Sequence, residues 1–103
     1  MKKIIVWRGI RASFGLMFQI PDNNKIYILD LGKSAKAIIH TFFCLRPLDI
    51  YVLSEDLEIV DSKRNLHPFR IFIPKKEFRY VIESFSLCKE DIDNVINYLS
   101  TNS

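Results

Sequence analysis

The sequence is poor in glycine, proline and cysteine, and these shortages remove whole classes of function. Its three glycines, Gly9, Gly15 and Gly32, are too scattered to build a loop that cradles phosphate. No Gly-x-Ser-x-Gly elbow, no His-Glu-x-x-His pair and no carboxylates at EF-hand spacing occur. The usual support for nucleotide binding, serine hydrolysis, zinc proteolysis and calcium binding is therefore missing. Cys44 and Cys88 lie far apart and outside any Cys-x-x-Cys pair, which indicates neither a disulfide framework nor a zinc site. Both are expected to be buried apolar thiols, bridged only if the cytoplasm is unusual, as in hyperthermophiles. The expectation is a chain with neither metal nor cofactor.

Long apolar runs are missing as well. No stretch without a formal charge or a proline exceeds ten residues, and the apolar one from Ala37 to Leu45 has nine, whereas a membrane-spanning helix needs about 20. The apolar run Ile4 to Trp7 stops at Arg8, short of the roughly 7–15 apolar residues at the centre of a secretory signal. A cytoplasmic protein without membrane contact is expected.

What remains is an ordinary globular balance, 49% hydrophobic and 26% charged, in 103 residues, enough for one core and a single domain over residues 1–103. The net charge is only +3, but residues 1–46 carry +6, 47–61 carry −5, 62–82 carry +5 and 83–103 carry −3. Such alternation gives neighbouring strands complementary charge, and it also leaves material for one basic face toward an anionic partner.

Isoleucine and phenylalanine dominate the apolar set and favour strands. Ile4 to Trp7, Lys25 to Leu31 (closing at Gly32), Ala37 to Phe43, Leu48 to Leu53, Leu57 to Asp61, Phe69 to Ile73 and Phe78 to Phe85 read as strands, with Ser54-Glu55-Asp56 as a hairpin loop. The close spacing implies mostly antiparallel pairing. Ile10, Phe14 and Met17 predict a short N-terminal helix. Ile92, Val95, Ile96 and Leu99 form the apolar stripe of a C-terminal helix over about residues 89–100, whose first turn carries Glu90 and Asp91. That helix is expected to cap the sheet.

Two regions could carry chemistry. Alternation along Ala37 to Phe43 puts Ile38, His40 and Phe42 on one face and Ile39, Thr41 and Phe43 on the other, and both faces look buried. Burying an unpaired imidazole costs about 1–3 kcal/mol, so His40 is expected at the edge of a concavity with a polar partner. Arg46 and Asp49 set a cation and a carboxylate beside the next strand, as an ion pair, a turn cap or part of a ligand site. His40, Thr41, Arg46 and Asp49 are thus the ligand-binding candidates, and His40 with Asp49 or Glu83 is a candidate acid–base pair. The second region interleaves Arg70, Lys75, Lys76 and Arg79 with Phe69, Phe72, Phe78 and Tyr80, a composition that can neutralise phosphate and stack bases. A strand with buried phenylalanines and exposed lysines has the same composition.

Four segments in a fixed order give a resemblance. They are Gly15-Leu16-Met17-Phe18; Ile39-His40-Thr41-Phe42-Phe43 followed by Pro47-Leu48-Asp49-Ile50; Leu66-His67-Pro68-Phe69-Arg70; and Arg79-Tyr80-Val81-Ile82-Glu83. Over about residues 10–85 the chain resembles the domain-of-unknown-function 192 family, also called uncharacterised protein family 0127, and most of all its archaeal branch. The resemblance implies a small jelly-roll-like β-barrel or sandwich with short helices packed on it, and it implies no particular activity. It gives Arg46 no role. Past Glu83, where many members continue with an Ile-Lys-Val-Gly-Asp stretch, this chain turns to the helix near Glu90.

Three functions follow as expectations: a non-enzymatic module binding a small molecule or a protein around His40, Thr41 and Asp49; an enzyme using His40 with a carboxylate; and a single-stranded nucleic-acid binder using residues 69–80.

Overall fold

The structure is a computed structural model that describes residues 2–8, 24–40 and 46–102, the side chains of His40 and Asn102 excepted. Five strands form the main sheet: β1 (Lys3–Arg8), β2 (Lys25–Ala35), β4 (Leu48–Leu53), β5 (Ile59–Leu66) and β7 (Phe78–Ser84), in the order β1-β2-β7-β4-β5. The short strands β3 (Ile39–His40) and β6 (Ile71–Phe72) pair antiparallel as a second sheet, and helix α1 (Lys89–Asn102) closes the chain. The domain is mainly β with a C-terminal helix, as the periodicities predict. Its main sheet is open rather than closed into a barrel, because β1 and β5 occupy opposite edges and no described ladder joins them. The expected N-terminal helix lies outside the described residues.

Three ladders of the main sheet are antiparallel, but β1 runs parallel to β2 from Lys3 opposite Lys25 to Arg8 opposite Asp30. A parallel pair requires a crossover of about a dozen residues or more, and residues 9–24 supply the length. Strand β2 does not close at Gly32. Gly32, at φ +82°, donates its N–H to Asp30 Oδ1 at 2.8 Å, and the strand continues through this irregularity until Ala35 pairs with Phe78. Glycine adopts positive φ without strain, so it bends the strand instead of ending it.

Alternation gives the sheet two apolar faces. On one, Ile26, Ile28, Tyr80 and Ile82 pack with Ile92, Val95 and Leu99 of α1. On the other, Tyr27, Leu29, Ile50, Val52 and Val81 pack with Ile39 of β3 and Phe72 of β6. The helix is fixed at its start, where Asp91 Oδ2 accepts the Cys88 N–H at 3.0 Å and pairs with Lys2 Nζ at 2.7 Å, and Lys2 also donates to the Ser86 carbonyl. The chain's first described residue is thereby tied to the last element. Cys88, expected to be buried, is a free, exposed thiol whose Sγ donates to Asp91 Oδ2 at 3.3 Å just ahead of the helix, and Cys44 lies outside the described residues. Among the described residues no helix is long and apolar enough to cross a membrane.

Candidate functional site

The β3–β6 ladder joins the two regions that the sequence offers separately. Ile39 pairs with Phe72 and His40 with Ile71, so the His40 strand and the basic segment that follows Phe69 share one small sheet. Pro68 and Pro74 bracket that segment, and proline removes the N–H a longer ladder needs, which holds β6 to two residues. The sheet is covered on one side only. Ile39 and Phe72 point into the core, while Ile38, Ile71 and Ile73 alternate with them and remain 61%, 54% and 68% exposed. The sequence predicts both faces of Ala37 to Phe43 buried; of the described side chains Ile39 is buried and Ile38 exposed, while those of residues 40–43 lie outside the described residues.

Phe69, two residues before Ile71, is exposed as well, at 61%, and sits at φ +62°, the left-handed region where a bulky side chain costs roughly 1–2 kcal/mol. Strain of this kind concentrates where a residue is held for a purpose other than packing. Lys36, Arg70, Lys75 and Lys76, all exposed, flank these aliphatic residues along the chain. Four apolar side chains at these exposures present on the order of 400 Å², the size at which an apolar patch on a small protein marks an interaction site. Ile38, Ile71 and Ile73 were missed as site residues because isoleucine in a strand-like run reads as core.

The other candidates are placed elsewhere. Ile50 pairs with Glu83, which puts Glu83 on the face where β3–β6 packs and turns Asp49, one residue earlier, toward the helix side. The two carboxylates considered for His40 therefore face opposite ways. Asp49 is a brace: Oδ1 accepts the Asn65 N–H at 2.8 Å, Oδ2 accepts the Leu87 N–H at 2.9 Å, and Arg64 stands 3.5 Å away. Arg46 is not its ion-pair partner and lies over the Phe85 ring at 5.9 Å. Asp49→Ala would strip two backbone donors of their acceptor and is expected to cost about 2–4 kcal/mol in urea unfolding, with Asp49→Asn losing about half as much. Equal stability of the alanine variant would contradict the brace. Thr41 and the His40 side chain lie outside the described residues, so the concavity expected at His40 does too.

Arg79 is also committed. Its Nε donates to Asp30 Oδ1 at 3.0 Å, Arg8 Nε reaches Oδ2 at 3.3 Å, and the Arg79 guanidinium lies over Tyr80. Burial pushes Asp30 upward, but the bonds from Arg79, Gly32 and Arg8 outweigh it and hold the carboxyl below its ordinary value. Glu83 is the opposite case. Buried to 4% exposure, with no described cation against it, its carboxyl is raised by desolvation to about 7.

Comparison with known proteins follows from this geometry. A Pyrococcus horikoshii UPF0127 protein is 40% identical over 98 residues, which cover 87% of this chain and 84% of that one. The chain belongs to the UPF0127 family. No family model matches it. The UPF0127 fold described above is shared with a crystal structure of a protein of unknown function from Novosphingobium aromaticivorans, at TM-score 0.72 and 18% identity, covering 81% of this chain and 62% of that one. A Sinorhizobium meliloti structure, described as a candidate transcription regulator, matches at TM-score 0.71 and 18% identity over 89% of this chain and 72% of that one. At that identity both show the fold alone.

Proposed function

We propose that this UPF0127 domain is a non-enzymatic binding module that docks a protein partner on the outer face of β3–β6. The observation that carries the reading is the exposure of Ile38, Ile71 and Ile73 on one face of a sheet whose other face is core, with exposed Phe69 close by in the chain. The composition of that face favours protein over nucleic acid. Base stacking needs exposed rings, and of the aromatics in residues 69–80, Phe72, Phe78 and Tyr80 are buried while only Phe69 is open. Arg79, one of the four cations considered for phosphate, is occupied by Asp30. A cytoplasmic setting belongs to the same reading and is in keeping with the free Cys88 thiol.

Selection of random displayed peptides against the immobilised domain tests this. Peptides should be enriched on the wild type and lose binding about tenfold or more on an Ile71→Ser/Ile73→Ser variant, since each removed aliphatic contact is worth roughly 1.5–3 kcal/mol when buried. Phe69→Gly should also weaken them, while leaving unfolding stability unchanged or up to about 1 kcal/mol higher through relief of the positive φ. Enriched peptides that bind the double variant equally well would remove the docking reading.

One observation favours an enzyme as a second reading: Glu83, on the core face that β3 covers, titrates near the range in which a general base works. Turnover lost in Glu83→Gln with the fold intact would support it.

A further inference from the structure

We infer that the partner docked on β3–β6 is an acidic polypeptide segment with aliphatic side chains, an inference that rests on the docking reading above and gives it a chemistry. The apolar face is small, and the charged residues nearest to it in the chain are mainly cations, interrupted by Glu77 and, through its bond to the Lys75 N–H, by Asp61. Lys36 lies two residues before Ile38, Lys75 two residues after Ile73 and Arg70 directly before Ile71, with Lys76 next along the chain. At about 3.3 Å per extended residue, Lys36, Arg70 and Lys75 lie within roughly 7 Å along the chain of an exposed aliphatic side chain, and Lys76 within roughly 10 Å. A partner that buries Ile38, Ile71 and Ile73 must bring its own atoms beside these cations. A cationic partner would be repelled there, and a neutral one would strip them of water without replacing it.

Charge also decides between the other occupants. A second copy of this chain placed face to face would set the same four cations against themselves, so self-association through this face is disfavoured. A flat anionic bilayer would draw all the cations at once, but the border also contains carboxylates. Asp61 Oδ2 accepts the Lys75 N–H at 3.1 Å, and exposed Glu77, beside Lys76, reaches Ser34 Oγ at 3.5 Å. A polypeptide can thread its own charges between such groups; a uniformly negative surface cannot. The aliphatic character of the face asks for valine, isoleucine or leucine on the partner, spaced so that its acidic residues reach the two ends of the ladder, Lys36 with Lys75 and Arg70.

Fluorescence anisotropy tests this with four labelled or titrated probes: a peptide of alternating valine and isoleucine flanked by glutamates and aspartates; the same peptide with every acid replaced by lysine; phosphatidylserine vesicles; and an oligothymidine strand. The acidic peptide should bind, weaken about tenfold between about 0.05 and 0.5 M salt, and lose about tenfold or more on Lys75→Glu/Lys76→Glu, a variant that should instead accept the lysine peptide. Circular dichroism confirms that these surface variants remain folded. Equal binding of acidic and lysine peptides, lost only in Ile71→Ser/Ile73→Ser, would overturn the acidic class while leaving the docking face standing. Binding of the acidic peptide that survives Ile71→Ser/Ile73→Ser would overturn both. Tighter binding of vesicles or of oligothymidine than of the acidic peptide would overturn the inference in favour of those partners.

Discussion

Glu83→Gln is expected to stabilise the domain by about 3 kcal/mol near pH 8 and to change it little near pH 4. Glu83 lies at the centre of the sheet, between Tyr27 of β2 and Ile50 of β4 in the register, and its carboxyl is raised by burial from 4.5 to about 7. A carboxyl whose pKa is higher in the folded state binds its proton more tightly there. Below about pH 4.5 both states are protonated and the group leaves stability untouched; between 4.5 and about 7 only the unfolded chain releases the proton, so stability falls across that window and levels off once the native carboxyl also ionises. Glutamine keeps the shape and cannot ionise. The opposite limb belongs to Asp30 and Asp91. In both, burial raises the carboxyl but stronger bonds lower it, from Arg79, Gly32 and Arg8 at Asp30 and from Lys2 and Cys88 at Asp91. Their stabilisation is present above the ordinary carboxylate value and is lost as pH falls below it. Wild-type stability should therefore peak in mildly acidic solution, and thermal unfolding followed from about pH 2 to about pH 8 in the two proteins checks both limbs. A Glu83→Gln variant less stable than wild type near pH 8 would mean that the charge is satisfied in the fold.

Val95→Asp is expected to leave the domain unfolded at room temperature, whereas Ile96→Asp should cost only about 1–2 kcal/mol. The apolar stripe read from the sequence treats Ile92, Val95, Ile96 and Leu99 alike. In the structure Val95 is 0% exposed and Ile96 only half-buried, because consecutive helical residues are rotated by about 100° and the stripe's centre and flank cannot both face Ile28 and Ile82. A carboxylate at Val95 would be buried without a partner, at a cost comparable to the whole stability of a small domain, about 5–10 kcal/mol. At Ile96 the new charge can reach water. Far-ultraviolet circular dichroism separates the outcomes, and equal losses in the two variants would contradict this orientation of the helix.

The elements with one clear period were legible in the sequence. Strand β7, running Phe78–Ser84, and helix α1 fall within a few residues of their apolar patterns. What alternation cannot tell is which of two apolar faces is covered. Ala37 to Phe43 is apolar on both sides, and only the place of β3 in a satellite sheet shows that Ile39 is core and Ile38 is not. A signal was present in Pro68 and Pro74, since a segment bounded by prolines lacks N–H groups at both ends and suits an edge better than the centre of a sheet. Asp49 and Glu83 could each be assigned a face by alternation, but that the faces are opposite rests on the pairing of Ile50 with Glu83, a contact between distant segments that no local pattern encodes. Asp49's role was equally hidden, since the donors it braces, Asn65 and Leu87, come from two other parts of the chain.

The docking face is tested most directly by methyl nuclear magnetic resonance. Isoleucine δ-methyl groups are labelled and the protein is titrated with the acidic valine–isoleucine peptide. Ile38, Ile71 and Ile73 should shift with a common saturation curve, while Ile26, Ile28 and Ile92, buried between sheet and helix, should hold their positions. Shifts confined to Ile4, Ile59 or Ile96, with Ile38, Ile71 and Ile73 unmoved, would place the binding surface elsewhere and contradict the account.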